Sequence, residues 1–252
     1  MTVVGTGYRI ASQITPESLA RIKAADKFFY LVADVVTETW LAGLNPSAEN
    51  LTDSYAPGKS RTDTYNEIVD RILAPVRTGL HVCVAFYGHP GVFAHSTHEA
   101  IRRARKEGVP ARMLPGISAQ DCLFADLGFD PSDGCQIFEA TGFLVQKPKT
   151  DPSCALILYQ AGAIGVSTFE TSALWNRSAL QVLSEVLSKK YPPKHRITLY
   201  TAPHFPVCDP IIRRISIARL PKADVTIATT LFIPPSKEPR WDDRMARRLG
   251  MS

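Results

Sequence analysis

Apolar residues in the first half of the chain fall in short runs separated by stretches of helical period, and this alternation predicts strands and helices in turn. Val3-Val4 followed by Gly5-Thr6-Gly7 predicts a short buried strand running into a glycine turn. Thr15-Pro16-Glu17-Ser18 opens a helix through Ala25, with Thr15 as its cap and Pro16 at the first helical position. Lys27 to Val32 supplies the next strand. Ser60, with Asp63 three residues on, caps a helix whose apolar face is Tyr65, Ile68, Val69, Ile72 and Val76. His81 to Tyr87 is a strand after Gly79, Ser96 to Glu107 a basic helix closed by Gly108, Ala111 to Leu114 a short strand, and Ser118 to Leu127 a helix behind Pro115-Gly116-Ile117. A βαβαβα order of this kind argues a mainly parallel sheet.

The texture changes near residue 130. Gln136 to Phe143, Ala155 to Gln160, Ile197 to Thr201 and Val225 to Phe232 read as strands, with one long helix from Ser178 to Tyr191. Proline-rich stretches at Gln146 to Pro152 and Ile233 to Arg240 read as loops, the tail Trp241 to Leu249 as a short amphipathic helix, and there is no internal repeat. The expectation is a two-lobed α/β fold. Its amino-terminal lobe spans 1–130 around a mainly parallel sheet, and its carboxyl-terminal lobe spans 131–252 around a mixed one.

Composition narrows the function classes. At 252 residues, 45% hydrophobic and 21% charged, the chain is globular and neither disordered nor fibrous. No apolar run reaches the ~18 residues that cross a bilayer, and the first residues lack the regions of a signal peptide, so a cytoplasmic protein without membrane partners is expected. Cys83, Cys122, Cys135, Cys154 and Cys208 are odd in number, scattered and without metal spacing, which argues against zinc and against a disulfide framework. The net charge of +5 permits an acidic partner, but basic residues cluster only at Arg102 to Lys106 and Arg244 to Arg248. Solvated helix faces explain such clusters more often than nucleic acid does.

Gly88-His89-Pro90-Gly91-Val92-Phe93 ends the His81 to Tyr87 strand abruptly. Glycines at the carboxyl end of a strand let backbone groups approach a ligand closely, because no Cβ stands in the way. Gly5-Thr6-Gly7 alone is weak evidence, since no dinucleotide fingerprint follows it. Taken with Leu114 to Ala119 and Tyr159-Gln160-Ala161, it joins a set of strand-end loops expected to converge on one cleft. His95 and His98 stand at HxxH spacing without a third ligand, so no metal is expected. Asp121, Asp126 and Asp130 are expected to cap helices and brace loops.

Gly5-Thr6-Gly7, then Gly88 to Phe93, then Leu114 to Pro131 and a late Thr229 to Pro235, resemble the tetrapyrrole-methylase (class III) fold of adenosylmethionine-dependent methyltransferases. With Gly58-Lys59-Ser60-Arg61 and Thr64-Tyr65 added, the sequence is more closely similar to the borosin peptide backbone α-N-methyltransferases. In the wider fold the second place of the glycine loop is often aspartate. Here it is His89, as in borosin enzymes.

The resemblance implies S-adenosyl-L-methionine as methyl donor, with S-adenosyl-L-homocysteine as product, and iterative methylation of backbone amides in a ribosomally made precursor peptide. It implies Tyr55, Arg61, Tyr65 and Tyr87 as catalytic residues: Tyr65 takes the proton, Arg61 lowers its pKa and steadies the amide oxygen, and Tyr55 and Tyr87 orient the peptide bond. For the cofactor it implies His89, Val92, Phe93, Ser118, Ala119, Gln160, Tyr200, Ala202 and Thr230. It also implies a homodimer, or a heterotetramer with the precursor. Because the sequence stops at Ser252, soon after Ile233-Pro234-Pro235, the precursor is expected to be a separate chain. Two rival readings remain. One changes the acceptor to a tetrapyrrole or another small molecule, and the other makes the protein an RNA-binding or RNA-methylating module.

The spacing adds a physical point of its own. Arg61 and Tyr65 are four residues apart, hence on one face of the helix that Ser60 caps. An arginine at a helix amino terminus opposes the dipole, which a purely structural choice would avoid.

Overall fold

The computed structural model describes residues 1–32, 34–168 and 177–251. The chain divides into two units. The first comprises Met1–Gly128 with Val166–Ala173 and Ala202–Pro210, and the second comprises Phe129–Gly165, Leu174–Thr201 and Ile211–Ser252.

The first unit runs β1 (Thr2–Gly5), α1 (Pro16–Lys23), β2 (Lys27–Leu31), α2 (Val35–Ala42), β3 (Ala48–Asn50), α3 (Arg61–Arg77), β4 (Val82–Phe86), α4 (His95–Lys106), β5 (Arg112–Met113) and α5 (Ala119–Leu127). Its five strands lie parallel in the order β3-β2-β4-β1-β5. Successive strand residues serve opposite faces. Val3, Phe29, Val84 and Phe86 join Ile68 and Ile72 of α3 and Ala100 and Ala104 of α4 in one core, while Val4, Phe28, Tyr30 and Ala85 join Ile22 of α1 and Leu41 of α2 in the other. Both faces are covered, so the strands are continuously apolar. Each fully buried Ile or Leu of α3 contributes roughly 1.5–3 kcal/mol.

The second unit runs β6 (Cys135–Glu139), α6 (Ala140–Gln146), β7 (Ala155–Tyr159), α7 (Arg177–Ser188), β8 (Arg196–Thr201), β9 (Ile211–Ser216), β10 (Thr230–Ile233) and α8 (Asp243–Arg248). Its sheet order is β6-β7-β10-β8-β9, parallel only between β6 and β7. The parallel and mixed sheets are those expected from the sequence.

Several expected elements are corrected. The Gln136 to Phe143 strand stops at Glu139, whose carboxylate accepts from the Thr141 and Gly142 N–H groups at 2.9 and 2.7 Å and starts α6. The Val225 to Phe232 strand begins only at Thr230, because Thr229 Oγ1 accepts from the Thr226 N–H at 2.9 Å and closes a turn there. The α2 helix, unforeseen, is capped by Asp34 accepting from the Thr37 N–H at 2.8 Å. Elsewhere the caps are as read: Thr15 accepts from Ser18, Ser60 from Asp63, and Asp121 completes a capping box with Ser118. Asp130 accepts from the Ser132 N–H, and Asp126 pairs with Arg9 at 3.9 Å.

The basic run on α4 is largely engaged. Arg102 and Arg103 both donate to Glu99, at 2.6–2.7 Å, and Arg103 reaches Asn66 and Asp70 on α3. The two arginines hold the Glu99 carboxyl down at about 2. A carboxyl depressed on folding stabilises the folded state above its unfolded pKa, near 4.3, and loses that contribution as pH falls towards 2. Glu99→Gln is therefore expected to flatten the acid limb of stability between about pH 5 and 2, measured by urea unfolding across that range. An unchanged slope would refute the coupling. Among the described residues, no helix is long and apolar enough to cross a membrane.

Candidate functional site

The turns after β1, β4 and β5 meet backbone against backbone. Thr6 donates its N–H to Phe86 O at 3.0 Å, Gly88 to Gly7 O at 2.8 Å and Gly7 to Gly88 O at 3.3 Å. A Cβ on Gly5 would stand 2.4 Å from Gly88 O and 2.9 Å from Gly116 Cα, and one on Gly116 would stand 2.5 Å from Gly88 O. No side chain fits there. Three of the four loops singled out in the sequence thus converge within the first unit.

Threonine and histidine of α4 hold the glycine loop from behind. Thr97 Oγ1 donates to Pro90 O, and His98 Nε2 lies 2.9 Å from Gly91 O, where it donates. Within the loop, His89 Nδ1 accepts from the Gly91 N–H at 2.9 Å, which leaves the ring proton of neutral His89 on Nε2. Phe93, 43% exposed, takes a left-handed backbone with φ +52. Non-glycine residues in that region carry local strain, which collects at functional sites. Ser118 is buried, and its Oγ is committed to Asp121 and the helix N–H groups; Ala119 follows it as the first residue of α5. Val92 is half-buried and Ala202 is buried.

The remaining predicted residues belong to the second unit. Tyr200 of β8 and Thr230 of β10 are register partners. Gln160 directly follows β7, the other neighbour of β10, and has φ +57. All three sit at one end of that sheet, and Gln160, like Phe93, is a non-glycine residue with left-handed backbone.

The polar group lies wholly in the first unit. Tyr55 follows the short helical turn Thr52–Ser54, Arg61 and Tyr65 lie on the first turns of α3, and Tyr87 ends β4. The start of α3 is tied down: the Arg61 N–H donates to Ser167 O at 3.0 Å, and Ser60 bridges Thr168. Burial raises the Tyr55 phenol, the phenols of Tyr65 and Tyr87 raise it further, and Arg61 pulls it back. The same pattern governs Tyr87, raised by desolvation and by Tyr65 and lowered by Arg61. The Tyr87 residue is 47% exposed. Four side chains from three elements thus lie within electrostatic reach of one another. At neutral pH Tyr55 and Tyr87 keep their protons.

The tetrapyrrole (corrin/porphyrin) methylase family matches residues 1–202. The chain belongs to that family.

Among solved structures, a uroporphyrin-III-C-methyltransferase from Thermus thermophilus covers 93% of this chain with a TM-score of 0.60 at 17% identity, over 91% of its own chain. The methyltransferase CobJ covers 96% of each chain with a TM-score of 0.58, also at 17% identity. These likenesses carry the fold alone. Curated relatives are nearer in sequence. A methyltransferase/ribosomally synthesized cyclic peptide gymnopeptides precursor of Gymnopus fusipes is 42% identical over 100% of this chain and 61% of its own. The corresponding dendrothelin A precursor of Dendrothele bispora is 41% identical over 93% and 57%, and the omphalotin A precursor of Omphalotus olearius 37% over 100% and 61%. The chain thus spans about three fifths of the length of these relatives.

Three further residues of the chain join the group without having been expected there. His95, the first residue of α4, lies with its ring 5.8 Å from that of Tyr65. Tyr8 stacks on His204 at 4.8 Å and meets Tyr87 edge-on at 6.4 Å. Tyr8 is announced by its place directly after the glycine turn. His204 has no local signal, being brought in by the Ile10 N–H bond to His204 O at 2.9 Å. Among the described residues, no group of three or more His, Cys, Asp or Glu side chains is arranged to hold a metal.

Proposed function

We propose that the protein is an adenosylmethionine-dependent α-N-methyltransferase that methylates main-chain amides of a ribosomally made precursor peptide. The observation that carries this reading is the Tyr55, Arg61, Tyr65 and Tyr87 group. The relatives' names, each joining a methyltransferase to a peptide precursor, supply the substrate class.

A peptide nitrogen is a poor nucleophile because its lone pair is delocalised into the carbonyl. Methylating it requires removal of the N–H proton while charge develops on the oxygen. In this reading Arg61 meets the carbonyl oxygen, the protonated phenols of Tyr55 and Tyr87 donate to the amide unit and fix its plane, and Tyr65 receives the proton. The cofactor, when bound, supplies an electrophilic methyl group on sulfonium. The chain's features fit such a ligand: the glycine turns present main-chain groups with no Cβ, and Phe93 and Gln160 have the strained backbone often found where a ligand is held. His89, Val92, Phe93, Ser118, Ala119 and Ala202, all of the first unit, would hold it. A homodimer completes the reading.

The test is intact-mass spectrometry of candidate precursor peptides after incubation with the protein and adenosylmethionine. Mass gains in multiples of one methyl group, localised to main-chain nitrogen by fragmentation, are expected, on a separate peptide or on one joined to the enzyme. Tyr65→Phe is expected to reduce the rate by about 10²–10⁴-fold with cofactor affinity retained in isothermal titration. Methyl groups found only on carbon or on a tetrapyrrole would overturn the reading.

A further inference from the structure

We propose that His95 takes up, through Tyr65, the proton that leaves the substrate's main-chain nitrogen. The inference rests on the functional reading above and extends it to where the proton goes.

A neutral phenol is a weak base, so Tyr65 can accept a proton readily only if its own O–H proton departs in the same step. A phenol releases protons to water near pH 10, whereas an imidazole exchanges them near neutrality. Tyr65 is half-buried on α3, and His95 is exposed at the start of α4. Their ring centroids are 5.8 Å apart, with the planes tilted by 35°. Across that separation one water molecule can link the imidazole to the hydroxyl. The two helices are held together next to the pair by Arg103, which reaches Asn66 at 2.7 Å and Asp70 at 3.2 Å. The second histidine of the pair is spent on the glycine loop, His98 Nε2 lying 2.9 Å from Gly91 O. His95 is the one whose ring meets Tyr65.

The step balances. The amide N–H bond breaks and its proton moves to the Tyr65 oxygen as the Tyr65 proton moves to a ring nitrogen of His95. The nitrogen lone pair forms the N–CH₃ bond as the sulfonium S–CH₃ bond breaks. His95 then gives the proton to solvent. His95 acts through Tyr65 and does not touch the substrate.

Single-turnover methylation of one peptide by His95→Phe, His95→Ala and Tyr65→Phe distinguishes the possibilities. His95→Phe keeps a ring against Tyr65 but carries no proton, and is expected to slow the step at least 10-fold with melting temperature and adenosylmethionine affinity unchanged. His95→Ala is expected to be equally slow and to recover with added imidazole, which a packing role would not allow; His95→Phe should not recover. Tyr65→Phe should stay inert with imidazole present. If His95→Phe matches the unaltered protein, or imidazole restores nothing to His95→Ala, the relay is overturned and the functional reading stands. If the unaltered protein methylates no peptide, both fall.

Discussion

Arg61→Ala is expected to slow methyl transfer by about 10²–10³-fold, the usual cost of losing one preorganised donor to a developing oxyanion, while leaving the melting temperature unchanged or slightly raised. The two halves of this expectation have separate physical causes. Arg61 is the first residue of a 17-residue helix, where a cation faces the positive end of the helix dipole. Such placement costs about 0.3–1 kcal/mol at exposed positions. Among the described residues, the ion pairs made by and around α3, which are Lys59–Glu67, Arg71–Glu49, Arg71–Asp53, Arg77–Glu107 and Arg103–Asp70, do not use Arg61. Its neighbours are instead the phenols of Tyr55 and Tyr87, which it lowers against the burial that raises them. Removing it should therefore leave those phenols still more firmly protonated and the amide oxygen without a cation. Arg61→Lys should restore only part of the rate, since an ammonium lacks the planar fork of a guanidinium. Thermal unfolding and the mass-spectrometric rate, measured on the same preparation, decide the matter. A fully active alanine variant would remove Arg61 from the chemistry, and a large loss of stability would make it a structural residue.

The second large effect is on the fold. Gly116→Ala would place a methyl group 2.5 Å from Gly88 O, 2.9 Å from Gly5 Cα and 3.3 Å from the Gly5 carbonyl carbon. Every one of these neighbours is main chain, so relief requires a strand end to move. Overpacking of this kind costs roughly 1–3 kcal/mol and sometimes more, or a fall in melting temperature of about 2–12 °C for a chain of this size. Because Gly88 opens the glycine loop, adenosylmethionine affinity should fall as well. Gly43→Ala serves as the control: its backbone has φ −72, and the nearest neighbour of an added Cβ is Trp40 O at 3.4 Å. That variant should be neutral or slightly more stable. Equal stability of the two variants would show that the three turns yield easily.

Much of the first unit was legible because its signals are local. Thr15, Ser60 and Ser118 announce their helices with side chains that do cap them, and the apolar runs at Val3, Lys27 and His81 become β1, β2 and β4. Elements whose cause is distant were not legible. The β3 strand, Ala48–Asn50, is three residues without a buried face, and it exists because it pairs with Phe28 to Tyr30. The β9 strand has the exposed pattern of an edge, so its isoleucines and arginines give no alternation to read. At Glu139 a local signal was outweighed by the apolar run around it, since a carboxylate before Thr141 and Gly142 caps a helix inside what looked like strand. The site divides in the same way. Arg61 and Tyr65 could be placed together from their spacing, whereas Tyr55 and Tyr87 reach them from other elements, and the approach of His95 to Tyr65 needs α3 and α4 to be side by side.

The meeting of Gly5, Gly88 and Gly116 has a consequence for descent. A junction composed of peptide units has no side chain that mutation can exchange, and it persists as long as nothing is added at those positions. Exchanges of the charged and aromatic residues around the junction therefore leave its floor in place. Distant kin should be recognisable by what is missing at three points in the sequence.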